Sequence, residues 1–278
     1  SEFTIMRESE DSFYCVSAGA WQRLDHDWLK KHMPNDRSVT LENLTNSMGV
    51  LVIAGPKSRQ LLEKISNDDF SNEAFPWLSG KMINVGLAET LALRVNFVGE
   101  LGWELHMPID LQNTIFDSIM EAGEEFGIKP FGIRAMDSLR IEKSYRLVGT
   151  ELSIEYAAYE SGLDRFVHPN KGSFIGRDAL VQWRERGFDN KFVTLEVHGV
   201  TDADALGNNP IYQDGKVVGR ATGGNYGFRI QKSIALAMVS PDCSEPGTKL
   251  TMDILGTIHD VTVIEESPYD PNNEKLRS

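Results

Sequence analysis

The chain has 278 residues, too long for one ordinary domain and short for three, so two domains are expected. With 41% hydrophobic and 25% charged residues it has the composition of a globular protein with ample material for its cores. A balance of 41 acids against 28 bases, formal net charge -13, argues against nucleic-acid or anionic-membrane partners, because both need basic patches.

Cys15 and Cys243 are the two cysteines, far apart and without a CxxC, which fits a reducing, cytoplasmic setting. The six histidines include no HxxxH pair, so no metal site is expected. No apolar stretch approaches the roughly 20 residues that span a bilayer, and the start shows no signal- or transit-peptide pattern.

In chain order, FTIM and FYCVSA flank the charged turn Arg7 to Asp11, as in a hairpin. AWQRLDHDWLKKHMP places Trp21, Leu24, Trp28 and Leu29 at helical spacing, and Pro34 ends it. VTLENLT reads as a strand leading to a second strand, GVLVIA, and then to a turn and the helix SRQLLEKI. LALRVNFVGELGWELHMP reads as two strands around the Gly99 to Gly102 turn. After it comes the helix DLQNTIFDSIMEAGEEFG, with an acid near its start and a glycine after its end. A further helix is predicted over FGIRAMDSLRIEKSYR.

Strands and helices alternate here without a repeating βαβ period, so this half reads as α+β. The charged joint RERGFDNK, 184 to 191, marks the boundary between a domain over 1–187 and a second over 188–278. Beyond it, short strands divided by Asp-Gly, Gly-Gly and Pro-Gly turns predict a small antiparallel barrel. ATGGNYG reads as one of those turns, and SPYDPNNEKLRS as a polar surface tail.

Phosphate-loop and nucleophile motifs fail: AGPKSRQ lacks GxxxxGK[ST] and GxGxxG, and there is no GxSxG. The stretch NFVGELGWELHMP is richer. Glu104, with Phe97 and Trp103 nearby, can be a carboxylate that reads the N–H edge of a flat heterocycle, or a solvated charge on a half-buried strand.

FVGELGWELHMP resembles the YTGExGxE signature of the aminomethyltransferase family, which includes the T protein of the glycine cleavage system. GIRAMDSLRIEKSYRLVGTEL is similar to the family's helix with its DSLRLE core and trailing G-x-(D/E)-(I/L). LDRFVHPNKGSFIGRDAL, NPIYQDGKVVGRATGG and SIALAMV come in family order. Within the family, the first residues, EKSYR and the ending VIEESPYDPNNEKLR look most like the C-terminal half of dimethylglycine and sarcosine dehydrogenases.

The resemblance implies an N-terminally incomplete folate-binding domain succeeded by a β-barrel. It also implies a module that captures a one-carbon unit, as an iminium derived from an N-methyl amine or as formaldehyde, on tetrahydrofolate to give 5,10-methylenetetrahydrofolate. FAD belongs, on this reading, to an oxidoreductase domain in cis or in trans that lies outside the chain. The alternatives are a free-standing aminomethyl or methyl transferase and a non-catalytic folate-binding protein.

Glu104 falls on the acid that hydrogen-bonds the pterin, Phe97 on the tyrosine that leads the motif, and Ser17 on a pterin-side strand. Met136 stands where an arginine is usual, with Arg134 two residues back as a substitute. The family's catalytic acid lies in a GG-x-x-DD segment, and Glu2 takes its second acidic position; the opening SEF reads either as native sequence or as a cloning remnant.

Overall fold

The computed structural model describes residues 1–200 and 202–278. Contacts divide them into two units, Ser1–Gly132 with Asn272–Ser278, and Ile133–Pro271.

The first unit opens with an antiparallel hairpin of β1 (Thr4–Arg7) and β2 (Phe13–Val16), in which Met6 faces Tyr14. Helix α1 (Gln22–His32) comes next. Strands β3 (Met48–Ala54), β4 (Gly80–Val85), β5 (Ala88–Leu93) and β6 (Gly102–Pro108) form one antiparallel sheet in the order β3-β6-β5-β4. Helices α2 (Ser58–Ile65) and α3 (Gln112–Gly123) bury Leu61, Leu62, Ile115 and Ile119 against Ile53, Ile83, Trp103, Leu105 and Met107. The chain leaves α3 through a 3-10 turn that ends at left-handed Gly127, where a residue with a Cβ would be strained.

The predicted strand at VTLENLT is absent. The Asn43 side chain accepts the Thr45 N–H, and the Leu44 carbonyl accepts those of Ser47 and Met48. This local turn takes up backbone groups that a strand would have offered to a neighbour.

The C-terminal stretch is not a loose surface tail. Lys143 donates to the carbonyls of Tyr269 and Asp270 in the second unit. In the first unit, Leu276 is buried and the Ser278 carbonyl accepts from both Arg59 and Arg94. Polarity predicted exposure there, but the buried guanidinium of Arg94 donates to the Asn72 side chain and to the main-chain oxygens of Phe75 and Ser278.

The second unit carries α4 (Ile133–Ile141), α5 (Arg177–Arg186) and a closed antiparallel barrel. The barrel strands are β7 (Lys191–Val197), β8 (Pro210–Gln213), β9 (Lys216–Gly227), β10 (Lys232–Val239), β11 (Lys249–Ile254) and β12 (Thr257–Ile264), joined in the order β10-β7-β12-β11-β8-β9. Val193, Leu195, Ala235, Ala237 and Val261 fill its interior. Phe192, Ile234, Leu236 and Met238 face outward into a second cluster with Ile141 of α4. With both faces covered, β7 and β10 read as nearly unbroken apolar runs.

Two predictions fail in this unit. ATGGNYG is not a turn but the middle and end of β9, paired along its length with β10. Its glycines serve close packing: a Cβ on Gly224 would lie 2.8 Å from the Ala205 Cβ and 3.0 Å from the Ile234 oxygen. The helix predicted to run to Arg146 ends at Ile141: Glu142 still donates its N–H to the Ser138 carbonyl, but Lys143 and Ser144 then close tighter turns onto Arg140 and Ile141 and Ser144 takes a left-handed φ of 56°, while the Glu142 carboxylate accepts the N–H groups of Arg229 and Ile230.

Candidate functional site on the outer face of the sheet

The alternation in WELHMP sorts β6 into two faces. Trp103, Leu105 and Met107 are fully buried under α2 and α3. Glu104 and His106 point the other way.

On that outer face Glu104 lies between Leu93 of β5 and Val52 of β3, and His106 between Leu91 and Val50. The leucines are buried, whereas Val50 and Val52 are 44% and 42% exposed, so β6 runs along the border between covered and open surface. The β1–β2 hairpin supplies the cover. Gly80, opposite Leu93 on β4, leaves room for Met6: a Cβ there would come within 2.5 Å of both the Met6 sulfur and a Leu93 methyl.

Tyr14, across the hairpin from Met6, reaches His106. Its hydroxyl lies 3.1 Å from Nδ1, and the two rings meet edge to face at 5.4 Å. The other ring nitrogen, Nε2, lies 3.3 Å from Oε2 of Glu104. The His106 side chain is 1% exposed and that of Glu104 23%. Oε1 of Glu104 has no hydrogen-bond partner among the described residues. Desolvation, and after it the charges of Glu8 and Glu104, holds the Tyr14 phenol above its ordinary value, so it stays protonated at neutral pH.

The loop entering β6 is built by side chains rather than regular pairing. Oδ1 of Asn96 accepts the N–H groups of Val98 and Gly99, each at 3.0 Å, and its amide donates to the Glu100 carbonyl at 2.6 Å. Gly99 takes a φ of 72°, in the left-handed region. The Leu101 carbonyl accepts from the Gly55 N–H and from the Ser58 hydroxyl, tying the loop to the start of α2. Gly102 is required by contact, since a Cβ there would lie 2.5 Å from the Ile53 oxygen and 3.0 Å from the Ala54 Cα.

Among the other predicted residues, Phe97 sits half-buried in the Asn96-clamped loop, and Ser17 half-buried directly after β2. Glu2 retains accessible surface, yet the surrounding protein desolvates its carboxyl and raises it above the ordinary range, with the amino terminus pulling the other way. Arg134 is exposed on α4 and Met136 half-buried there, both in the second unit, whereas Glu104 is in the first. No group of three or more His, Cys, Asp or Glu among the described residues is arranged to hold a metal, and no helix among them is long and apolar enough to cross a membrane.

Residues 1–171 match the family model of the GCVT N-terminal domain, and residues 190–270 match that of the glycine cleavage T-protein C-terminal barrel domain. The chain belongs to the glycine cleavage T-protein family. Among T-protein relatives it is 36% identical over 268 residues to mitochondrial dimethylglycine dehydrogenase of Mus musculus, a match covering 96% of this chain and 31% of that protein. The chain therefore spans about a third of that relative's length. It is 29% identical over 274 residues to an aminomethyltransferase of Caldanaerobacter subterraneus subsp. tengcongensis, covering 99% of this chain and 72% of that one. The solved structure of glycine cleavage system aminomethyltransferase T from Bartonella henselae superposes with a TM-score of 0.82 at 19% identity, over 96% of this chain and 71% of that one. The T-protein fold, an α+β domain with a small antiparallel barrel after it, is thus the one described above.

Sequence reasoning missed Tyr14, His106 and Asn96. The period-2 pattern of WELHMP already places His106 on the face of Glu104. Tyr14 reaches that face only because the hairpin folds over it, a long-range contact without a local signal.

Proposed function

We propose that the chain binds tetrahydrofolate on the outer face of the sheet and serves as the one-carbon transfer module of a dimethylglycine or sarcosine dehydrogenase-like enzyme. The observation that carries this reading is Glu104, a carboxylate in the family's motif, with one oxygen tied to His106 and the other available to a ligand. A carboxylate only accepts, which matches the N–H and amino edge of a pterin. The open valines Val50 and Val52 offer apolar surface to such a ring, and Phe97 supplies an aromatic face.

Bound tetrahydrofolate supplies the nucleophilic nitrogens that take up an iminium or formaldehyde as 5,10-methylenetetrahydrofolate. The protein's part is to position the ring and manage one proton. Glu2, with its carboxyl raised by desolvation, is assigned the proton and the steadying of positive charge. Ser17, directly after β2, is assigned to the lining of the site. An FAD-dependent oxidoreductase domain, in cis or in trans, would generate the iminium; the 96% coverage of this chain by its match to dimethylglycine dehydrogenase favours that arrangement.

The match to an aminomethyltransferase over 72% of that protein favours a second reading, a free-standing transferase. Formaldehyde and tetrahydrofolate are mixed with and without the chain, and formation of 5,10-methylenetetrahydrofolate is monitored. Acceleration that is lost in Glu2→Ala supports the module. The uncatalysed rate together with tight folate binding would instead identify a non-catalytic folate-binding protein. Aminomethyl transfer without a flavoprotein would favour the free-standing enzyme.

A further inference from the structure

His106 presents an unusual combination: a polar ring, 1% exposed, on the face of the sheet away from the core, with a single partner on each nitrogen. Burying an imidazole there is unfavourable unless both ring nitrogens find hydrogen-bond partners. The two partners differ in what they can do. Glu104 as a carboxylate can only accept, so the hydrogen in that contact belongs to Nε2. A neutral ring with its proton on Nε2 has a bare Nδ1, and that nitrogen needs a donor. The Tyr14 hydroxyl, 3.1 Å away, is one. The three groups therefore satisfy one another in a single direction, Tyr14 to His106 to Glu104.

We propose that His106 is a positioning residue for ligand recognition: with its proton fixed on Nε2 by Tyr14, it holds Oε2 of Glu104 and so turns Oε1 toward the bound heterocycle. The proposal rests on the folate reading above for the identity of the ligand, while the relay itself concerns only the protein. It explains why the β1–β2 hairpin is seated on the sheet through Met6 and Tyr14. The hairpin carries the donor that sets the ring, and it seals the ring from water, which would otherwise compete for both nitrogens. It also accounts for a glutamate at 23% exposure having a defined direction: one oxygen is anchored behind the ligand-facing one.

The experiment uses the 278-residue chain in two measurements. Nitrogen-15 NMR of the histidine rings is expected to show His106 as the neutral Nε2–H tautomer, and Tyr14→Phe or Glu104→Gln is expected to perturb that signal. An Nδ1–H tautomer in the wild type would overturn the relay, whatever the protein binds. Calorimetric titration with tetrahydrofolate under reducing conditions then tests its consequence. His106→Ala is expected to weaken binding about tenfold, the loss of one hydrogen bond to a charged group. His106→Gln, whose amide can place an N–H near the position of Nε2, is expected to recover most of it. In a Glu104→Ala background, His106→Ala is expected to add no further loss. Equal affinity of wild type and His106→Ala, equal weakening by Ala and Gln, or full additivity with Glu104→Ala would each overturn the proposal. If His106→Ala does not fold, Tyr14→Phe takes its place, with a several-fold loss expected and no change overturning the proposal. A wild-type chain that binds no tetrahydrofolate would sink the folate reading alone, and the NMR result would then decide the relay by itself.

Discussion

Strand β7 of the barrel is covered on both sides, with Val193 and Leu195 inside and Phe192 packed outside against Ile141. Strand β6 of the open sheet seals only one side. Trp103, Leu105 and Met107 are in the core, while Glu104 and His106 lie where buried Leu91 and Leu93 give way to exposed Val50 and Val52. A closed barrel has no free edge, and residues 192–195 of β7 are buried on both faces, so those side chains contribute packing and little else. A sheet covered on half of one face can hold a polar group that has both a fixed partner and an opening to a ligand. The difference explains why the chemistry gathers on β6 although the barrel strands are the more regular.

The sharpest way to break this comparison is to remove packing from each side. Trp103→Ala should cost about 3–5 kcal/mol and Leu195→Ala about 2–5 kcal/mol, because both side chains are fully buried in close-packed clusters. Denaturant titrations monitored by circular dichroism would measure both, and a loss below about 1 kcal/mol at either position would contradict the packing described. Gly102→Ala should come next at roughly 1–3 kcal/mol, since its Cβ meets main-chain atoms of β3 that cannot rotate away. Unlike Leu195→Ala, it should also weaken ligand binding, because it displaces the strand that carries Glu104.

Asn96→Ala sharpens the picture locally. It removes three hydrogen bonds from a loop without regular pairing, for an expected loss of about 1–2 kcal/mol. Amide exchange should rise at Val98 and Gly99 and stay unchanged in the barrel; uniform exchange would show that the clamp is not a local device.

The smallest effect is on pH dependence. The Tyr14 phenol is held above its ordinary value by desolvation and by Glu8 and Glu104, so between the unfolded and folded values the folded state binds more protons. Its contribution is present in full below about pH 10 and is lost as pH rises through the folded value. Unfolding free energies measured from about pH 8 to about pH 11 should fall less steeply in Tyr14→Phe than in the wild type. Equal slopes would remove Tyr14 from the protected site.

Much of this architecture could be read from local pattern. Helix α2 begins just after Gly55-Pro56, and the β8–β9 turn is the Asp214-Gly215 pair, whose residues both have positive φ. The antiparallel pairing of β5 and β6 is expected from their alternation around the Gly99 to Gly102 loop. What escaped depends on partners distant in sequence. VTLENLT has the residues of a strand, but Asn43 and Leu44 capture the nearby N–H groups. Gly223 and Gly224 look like turn residues, yet Gly224 is there so that Ala205 and β10 can approach β9. The tail is polar and still docks, because Leu276 is buried and Arg59 and Arg94 both donate to the main-chain oxygen of Ser278. At the candidate site, Glu104 and Phe97 were legible through a family motif. His106 was legible only as a face-mate of Glu104, and Tyr14 not at all, because its place is set by how the hairpin lies on the sheet.

The central claim is that the open face of this sheet reads a pterin through Glu104. Titrating tetrahydrofolate into the wild-type chain, Glu104→Ala and, as a control, Glu89→Ala on the exposed end of β5 tests it most directly. The account predicts that Glu104→Ala weakens binding tenfold or more, about 1.4 kcal/mol or above, while Glu89→Ala leaves it unchanged. Tetrahydrofolate bound equally well by all three would contradict it.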